Sequence, residues 1–229
     1  MASRYFAVAI LVGLLSATSS QAASVSFYLD QSNKLADGVN YLQVTIADGA
    51  DGGIDFTVTA LQPLLDIAGE NFGIQKFAFN VVGGTPTEGR DVTALPDKWR
   101  VRNGGRMAGF GLYDIKLSGR GNNRQDPLTF SITGISLDTI LSYVDLSTGR
   151  SPQGFSFFSA HVAGLDFGNC GSGTDKGHRT GKGTDQGDDT CVKSAFFGGT
   201  QAVPAPPAIW LLGTAVAGLV ARRIRRKAA

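Results

Sequence analysis

The residues best suited to chemistry in this chain are two cysteines and the aspartates between them. Cys170 and Cys191 are the only cysteines, and 20 residues separate them. In an exported chain, which the two ends of this sequence predict (see below), two cysteines most simply form one disulfide. We therefore predict a Cys170–Cys191 bond, which would contribute roughly 3 kcal/mol by restricting the unfolded chain.

The segment that this bond would close, residues 171–190, has no large apolar side chain and repeats Gly-Thr-Asp-x-Gly twice. Such a composition cannot form a core and predicts a flexible surface loop. Carboxylates are ligands for Ca²⁺, so the loop is also a weak calcium candidate, although its spacing matches no EF-hand and its basic residues offset the acids. The candidate ligands are Asp175, Asp185, Asp188 and Asp189. A second acidic turn, formed by Asp48, Asp51 and Asp55, is a similar or weaker candidate.

Catalytic chemistry has little support in the sequence. His161 lies in an apolar run, which favours a hydrogen-bonded structural histidine, and His178 lies in the predicted loop. The chain has no Gly-x-Ser-x-Gly elbow, His-Glu-x-x-His helix or Walker loop. Glu70 and Glu88 would serve a glycosidase only if the fold brought two carboxylates together across a cleft. We expect no enzyme, no catalytic residue and no bound cofactor.

The elements that would position these residues are strands. Seven short runs alternate apolar and polar residues, a period that buries one face and leaves the other in water. Their ranges are 24–30, 39–47, 54–60, 74–82, 109–118, 127–135 and 154–163. Turn-forming Gly, Asp and Asn residues separate the runs, including Asn103-Gly104-Gly105. This pattern predicts an all-β fold, an antiparallel β-sandwich of jelly-roll or Ig type, in which 39–47 and 54–60 form a hairpin.

One short helix is expected beside the strands. Leu137, Ile140, Leu141 and Val144 repeat at helical spacing within Leu137–Leu146. Ser136 would cap the amino-terminal end of this helix.

The two ends of the chain are typical of targeting segments. Residues 1–22 have a basic residue, Arg4, then an apolar run and the small-residue site Ser20-Gln21-Ala22, which together predict a signal peptide. The other end has a Pro-rich break, an apolar run from Ala208 to Ala221 and a basic cluster. That run of 14 residues is roughly 21 Å long as a helix, against a hydrocarbon core of roughly 30 Å. It is better suited to transient insertion than to permanent anchoring.

This tail resembles the PEP-CTERM sorting signal of Gram-negative bacteria, although Ala205 replaces the family's glutamate in the Pro-x-Pro element. The resemblance covers residues 203–227 of the tail segment 203–229, and its signal residues are Val203, Pro204, Pro206, Trp210, Arg222, Arg223, Arg225 and Arg226. It implies recognition, and cleavage near Pro-x-Pro, by an exosortase, a membrane enzyme with a cysteine-protease-like site. The basic cluster should stay in the cytoplasm, with the domain of residues 23–202 on the periplasmic side of the inner membrane and later at the cell surface or outside the cell. Export itself would use the Sec translocon and signal peptidase.

Part of the domain also resembles a recurring ectodomain of PEP-CTERM proteins. The similar motifs are Asp97-Lys98-Trp99, Gly109-Phe110-Gly111-x-x-Asp114, Asp126-Pro127-Leu128-Thr129-Phe130 and Ala160-His161-Val162-Ala163-Gly164. This second resemblance implies a fold and carries no activity.

The charge distribution limits the classes of partner that we expect this protein to bind. Arg4 and five basic tail residues account for six of the 21 lysines and arginines, so residues 23–204 hold 15 basic against 19 acidic residues, a net charge of −4. A nucleic-acid partner is therefore not expected. The tail resemblance implies a structural or adhesive protein of an exopolysaccharide matrix or biofilm. The alternatives are a carbohydrate-binding module and a plainly membrane-anchored periplasmic domain.

The position of the aromatic residues can distinguish the structural role from the carbohydrate-binding module. An exposed platform of Trp99 with the tyrosines would favour sugar binding, whereas their burial would favour the structural role. The tyrosines concerned are Tyr28, Tyr41, Tyr113 and Tyr143.

Overall fold

The computed structural model describes residues 23–49, 52–83, 85, 87–166 and 193–203. The predicted signal peptide, both cysteines, the loop of residues 171–190 with its four aspartates, and the tail from residue 204 onward lie outside these residues.

The described part of the chain is mostly β-structure in two antiparallel sheets. Its strands are β1 (Ser24–Leu29), β2 (Gln31–Ser32), β3 (Leu42–Asp48), β4 (Ile54–Ala60), β5 (Ala68–Phe79), β6 (Val92–Thr93), β7 (Arg100–Met107), β8 (Gly111–Ser118), β9 (Leu128–Ile132), β10 (Phe158–Leu165), β11 (Ser194–Gly199) and β12 (Gln201–Ala202). The first sheet has the order β12-β1-β3-β4-β9-β6, and the second has the order β2-β11-β10-β5-β8-β7. One short helix, α1 (Gln62–Leu65), follows β4.

The two sheets share one hydrophobic core because alternate residues of each strand point inward. In β4, Ile54, Phe56 and Val58 are buried while the residues between them are more exposed. The Phe56 ring of the first sheet lies 5.2 Å from the Phe79 ring of the second sheet and 4.7 Å from that of Phe130. Aromatic pairs at such distances contribute beyond their buried area, so this ring cluster joins the sheets.

Most of the predicted strands are present in the structure. The run 54–60 is β4, and it pairs with β3 as the predicted hairpin, with Val44 opposite Val58. β3 begins three residues later than expected, whereas β5 begins six residues earlier.

The prediction of a turn at Asn103-Gly104-Gly105 is wrong, because these residues lie within β7. Gly104 has φ +73°, and a Cβ on Gly105 would lie 2.7 Å from the Lys116 side chain. Gly105 therefore serves a close strand-to-strand contact, whereas Gly104 serves the positive φ.

Two longer strands were not predicted, β7 and β11. In β11 the double glycine suggests a turn, but here it serves close packing. A Cβ on Gly198 would lie 2.4 Å from the Phe110 ring, and one on Gly199 would lie 2.1 Å from the Tyr28 carbonyl oxygen. Such crowding depends on the neighbouring strands and cannot be seen in the local sequence.

The predicted helix at Leu137–Leu146 is wrong. Leu137 has φ +60°, a left-handed conformation that an α-helix cannot contain. Only Ile140–Tyr143 forms a 3-10 turn, and it buries Tyr143 completely. Leu137 is 95% exposed and Leu141 is 71% exposed, so the apolar pattern does not mark a buried face. The helix that does form, α1, was missed because it is one turn long and has a proline in that turn.

The first and last described strands are neighbours. β12 pairs with β1, with Phe27 opposite Ala202, and the Val203 amide donates a hydrogen bond of 2.7 Å to the Ser26 carbonyl. Residues 201–203 therefore lie at the edge of the first sheet, beside β1. Among the described residues, no helix has the length and apolarity needed to cross a membrane.

Candidate functional site

The outer face of the second sheet carries a row of side chains that the core does not use. Directly paired residues lie on the same face of a sheet, and the pairing runs from Phe196 through His161 and Lys76 to Ser118 and Arg100. In the adjacent row, Lys116 lies between Ala78 and Arg102. We call Lys76, Arg100, Arg102 and Lys116 the cationic face, which His161 borders.

Three strands position the four cations by the same alternation that builds the core. On β5, Phe77 and Phe79 are buried while Lys76 is half-buried on the other side. On β8, Lys116 lies between the buried Ile115 and Leu117.

An aromatic pair ends the row on its β11 side. The His161 imidazole stacks on the Phe196 ring with 4.3 Å between centroids, and the Lys76 amine lies 5.7 Å from the Phe196 centroid. Burial first, and then the charges of Lys76 and Arg124, lower the pKa of His161 to about 4. The imidazole is therefore neutral at pH 7.

The cations of this face have no acidic partners among the described residues. The ion pairs in this part of the chain are those of Arg90 with Glu88 and Asp91. Burial, and then the charges of Lys76 and Arg102, lower the pKa of Lys116. An unneutralised group of this kind attracts anions.

A cleft of about 510 Å³ lies at one end of the second sheet. It is lined by Gly69, Glu70, Asn71, Asn122, Arg124, Gly164, Leu165, Asp166 and Lys193. Arg124 donates a hydrogen bond to the Asn71 carbonyl, and its Nε atom is buried without a partner in the described structure. The cleft contains both acidic and basic side chains, so it differs from the cationic face. Arg124 lines the cleft, and its charge contributes, after burial and Lys76, to the lowered pKa of His161 beside that face.

The acidic turn predicted as a calcium candidate is engaged in protein contacts. An Asp48 carboxylate oxygen accepts the Ala23 amide at 3.2 Å, and Asp55 accepts the Ser131 hydroxyl at 2.5 Å. Asp51 lies outside the described residues, as do Asp175, Asp185, Asp188 and Asp189. Within the described ranges, no group of three His, Cys, Asp or Glu side chains could hold a metal ion.

The described residues considered for catalysis lie at different places in the fold. Glu70 lines the cleft, whereas Glu88 caps the 3-10 turn Gly89–Asp91 and pairs with Arg90. His161 is buried as expected, but the expected hydrogen bond is not found at Nδ1, which has no partner in the described structure. Stacking on Phe196 stabilises the imidazole instead. His178 lies outside the described residues.

The aromatic residues considered for sugar binding are mostly buried in the protein. Trp99 is 7% exposed, and its Nε1 donates to the Asn123 carbonyl at 2.8 Å. Tyr41, Tyr113 and Tyr143 are also buried, while Tyr28 is half-buried. Burial and the hydrogen bond to Asp138 raise the pKa of Tyr143. These side chains form no exposed stacking platform of Trp99 with the tyrosines.

The ectodomain-like motifs have structural roles where the structure shows them. A Cβ on Gly111 would lie 2.4 Å from the Thr148 carbonyl oxygen, and Phe110 is completely buried. The Asp114 carboxylate accepts the Val81 amide at 3.1 Å, and that of Asp126 accepts the Ala60 amide at 2.9 Å. These residues fix loops to strands.

Sequence reasoning missed the cationic face. The Arg100-Val101-Arg102 alternation was a usable signal for one strand with two cations on its outer face. The convergence of Lys76 and Lys116 beside them depends on strand order, which local sequence does not give.

The described residues thus define a mostly β protein of two antiparallel sheets, one of which has an unneutralised cationic outer face. No protein-family model, curated protein or solved structure matches this chain. The sorting-signal resemblance of the tail therefore stays a prediction.

Proposed function

We propose that this protein is an exported, non-catalytic surface or extracellular-matrix protein with a structural or adhesive role linked to exopolysaccharide or biofilm. In this proposal an exosortase-type enzyme recognises the tail of residues 203–229 and cuts it. The fold is a β-sandwich of jelly-roll or Ig type. The protein passes through the inner membrane with its domain on the periplasmic side and then reaches the cell surface or the extracellular space.

Burial of the aromatic residues is the observation that supports a structural role over an aromatic carbohydrate-binding module. Trp99 and three of the four tyrosines contribute to packing. Buried aromatic side chains stabilise the fold, and a matrix protein needs such stability outside the cell.

The strand that precedes the proposed signal supports access to the tail. β12 is a two-residue strand at the edge of the first sheet, so an enzyme that acts just beyond it need not disrupt the core. The proposed signal residues Pro204 and Pro206 follow immediately in the sequence.

The test is mass spectrometry of the mature protein from a Gram-negative host with and without an exosortase. We expect an amino terminus at Ala23, and a carboxyl terminus near Pro204–Pro206 only when the exosortase is present. The double variant Pro204→Ala, Pro206→Ala should retain the basic end. The matched control is Pro96→Ala, Pro152→Ala, which changes two prolines inside the domain and should be processed normally.

An intact tail in the presence of the exosortase would overturn the sorting proposal. It would favour a plainly membrane-anchored periplasmic domain.

A further inference from the structure

The cationic face carries charges that the fold does not need. Lys116 and Arg102 are directly opposite each other on neighbouring strands, and like charges in that arrangement are destabilising. Neither side chain forms an ion pair among the described residues, and the carboxylate of Asp114, on the same face of β8, accepts the Val81 amide. A cost of this kind is typical of a surface that meets a partner of opposite charge.

The dimensions of the face favour an extended anion over a small one. Lys76, Lys116 and the two arginines occupy three adjacent strands, a patch about 10 Å across and about 7 Å along the strands. The patch is part of an outer sheet face, and the cleft described above lies beyond Arg124 at one end of the sheet. Arg100 and Arg102 are exposed on the edge strand β7, where their planar guanidinium groups can bind carboxylates with two hydrogen bonds.

Neutral polar groups lie among the cations. Ser118 is between Lys76 and Arg100 in the row, and His161 is next to Lys76. His161 is buried, so the half-buried Ser118 hydroxyl is the neutral group that this face offers to a ligand. Hydroxyl and cationic groups together suit a ligand that carries both hydroxyls and separated negative charges.

We propose that the cationic face binds a carboxylated polysaccharide, a chain of uronate-type sugar rings with hydroxyls and one carboxylate on each charged ring. The inference names a partner for the proposed matrix role and rests on that role for its biological meaning. The binding itself depends only on the described face.

Charge spacing distinguishes this partner from a nucleic acid. Neighbouring strands separate the cations by about 5 Å, whereas each strand of duplex DNA has one charge per about 3.4 Å of axis. The predicted mature region also has a net charge of −4, which opposes general attraction to a dense polyanion. The Phe196 ring already stacks on His161, so one of its faces is not available to a base.

The test is titration of the full chain, purified in mild detergent, with sodium alginate as the polyuronate probe. Uncharged dextran, duplex DNA and anionic phospholipid vesicles are parallel probes. The face variant is Lys76→Gln, Arg100→Gln, Arg102→Gln. The matched control, Lys34→Gln, Arg90→Gln, Arg150→Gln, removes the same residue types from other surfaces. Thermal unfolding checks that both variants fold.

We expect alginate binding that weakens as salt rises, no dextran binding, and at least about a tenfold loss of affinity in the face variant. The control variant should change the affinity by less than about twofold. Equal losses in both variants would mean bulk charge attraction and would overturn the proposal, as would unchanged binding in the face variant. Tighter binding to DNA or vesicles than to alginate would reassign the face to another class of partner. These outcomes do not depend on cleavage of the tail, so they are separate from a failure of the sorting proposal.

Discussion

The outer faces of the two sheets differ in how their polar atoms are satisfied. On the first sheet, the Ser26 and Thr45 hydroxyls lie 2.8 Å apart, and Ser131 donates to Asp55 at 2.5 Å. We call these two adjacent rows the hydroxyl face; it consists of Ser26, Thr45, Thr57 and Thr129 in one row and Asp55 and Ser131 in the other. On the second sheet the cations lie side by side without carboxylate partners among the described residues.

The outward-facing positions of the strands therefore serve different purposes on the two sheets. Both faces consist of residues that alternate with core residues. The hydroxyl face bonds to itself and adds to stability, whereas the cationic face leaves its charges for a partner. Exposure alone does not mark a functional surface, and the proposal for the cationic face rests on cations that lie directly opposite each other.

The largest expected effect concerns the core that both faces share. Phe79→Ala should lower the free energy of unfolding by about 3–5 kcal/mol, because it removes a completely buried ring that contacts Phe56 and Tyr143. Denaturant unfolding measures this change, and Phe79→Leu is the milder control. A loss below about 1 kcal/mol would show that the stability of the two sheets does not depend on the ring cluster.

The second prediction concerns pH and the cationic face. The folded pKa of His161, about 4, is below the ordinary value of 6.5 because of burial and the charges of Lys76 and Arg124. The unfolded state therefore binds more protons between these values, so stability is present above pH 6.5 and is lost as the pH falls toward 4. The loss should be at most about 3 kcal/mol.

Denaturant titrations between pH 4 and pH 7 measure this loss. The variant His161→Gln cannot titrate at this position and should show a flatter profile. Identical profiles for the two proteins would contradict the pKa assigned to His161.

The third prediction concerns the hydroxyl face. Ser131→Ala should lower the free energy of unfolding by about 1 kcal/mol, because it removes a hydrogen bond to the Asp55 carboxylate. Thr129→Ala, at an exposed position of the same strand, is the matched control and should have a smaller effect. Equal effects in a thermal unfolding series would mean that the Ser131–Asp55 bond adds nothing to stability.

The smallest expected effect has the opposite sign. Lys116→Gln should raise the free energy of unfolding by about 0.5 kcal/mol, because it relieves repulsion from Lys76 and Arg102. The gain should shrink as salt is added. A destabilised variant at low salt would show that Lys116 contributes more through packing than it costs through charge, and the contrast between the two faces would weaken.

Much of the fold could be predicted from the sequence because period-two alternation is a local property. β4 was predicted at both ends, and its hairpin with β3 was expected from the turn residues between them. The all-β class followed from the repetition of such runs. The helix prediction failed because Leu137 adopts a left-handed conformation and Tyr143 is buried by distant partners, including Thr87, which lies 3.1 Å from its hydroxyl.

The candidate site was much less predictable. Arg100 and Arg102 share a face by local alternation, but their position beside Lys116 and Lys76 requires the order β5-β8-β7. The glycines of β7 and β11 also concealed their strands, since the crowding that requires glycine comes from residues far along the chain.

The sequence by itself determined the alternating strands and the opposite character of their two faces, because side chains of an extended chain point alternately to either side. It also supplies the features at the two ends on which the sorting prediction rests. Only the tertiary structure decided which strands are neighbours, and therefore which cations converge and which aromatics are buried. Strand order depends on contacts between distant segments, and Coulomb repulsion acts only between the charges that this order brings together.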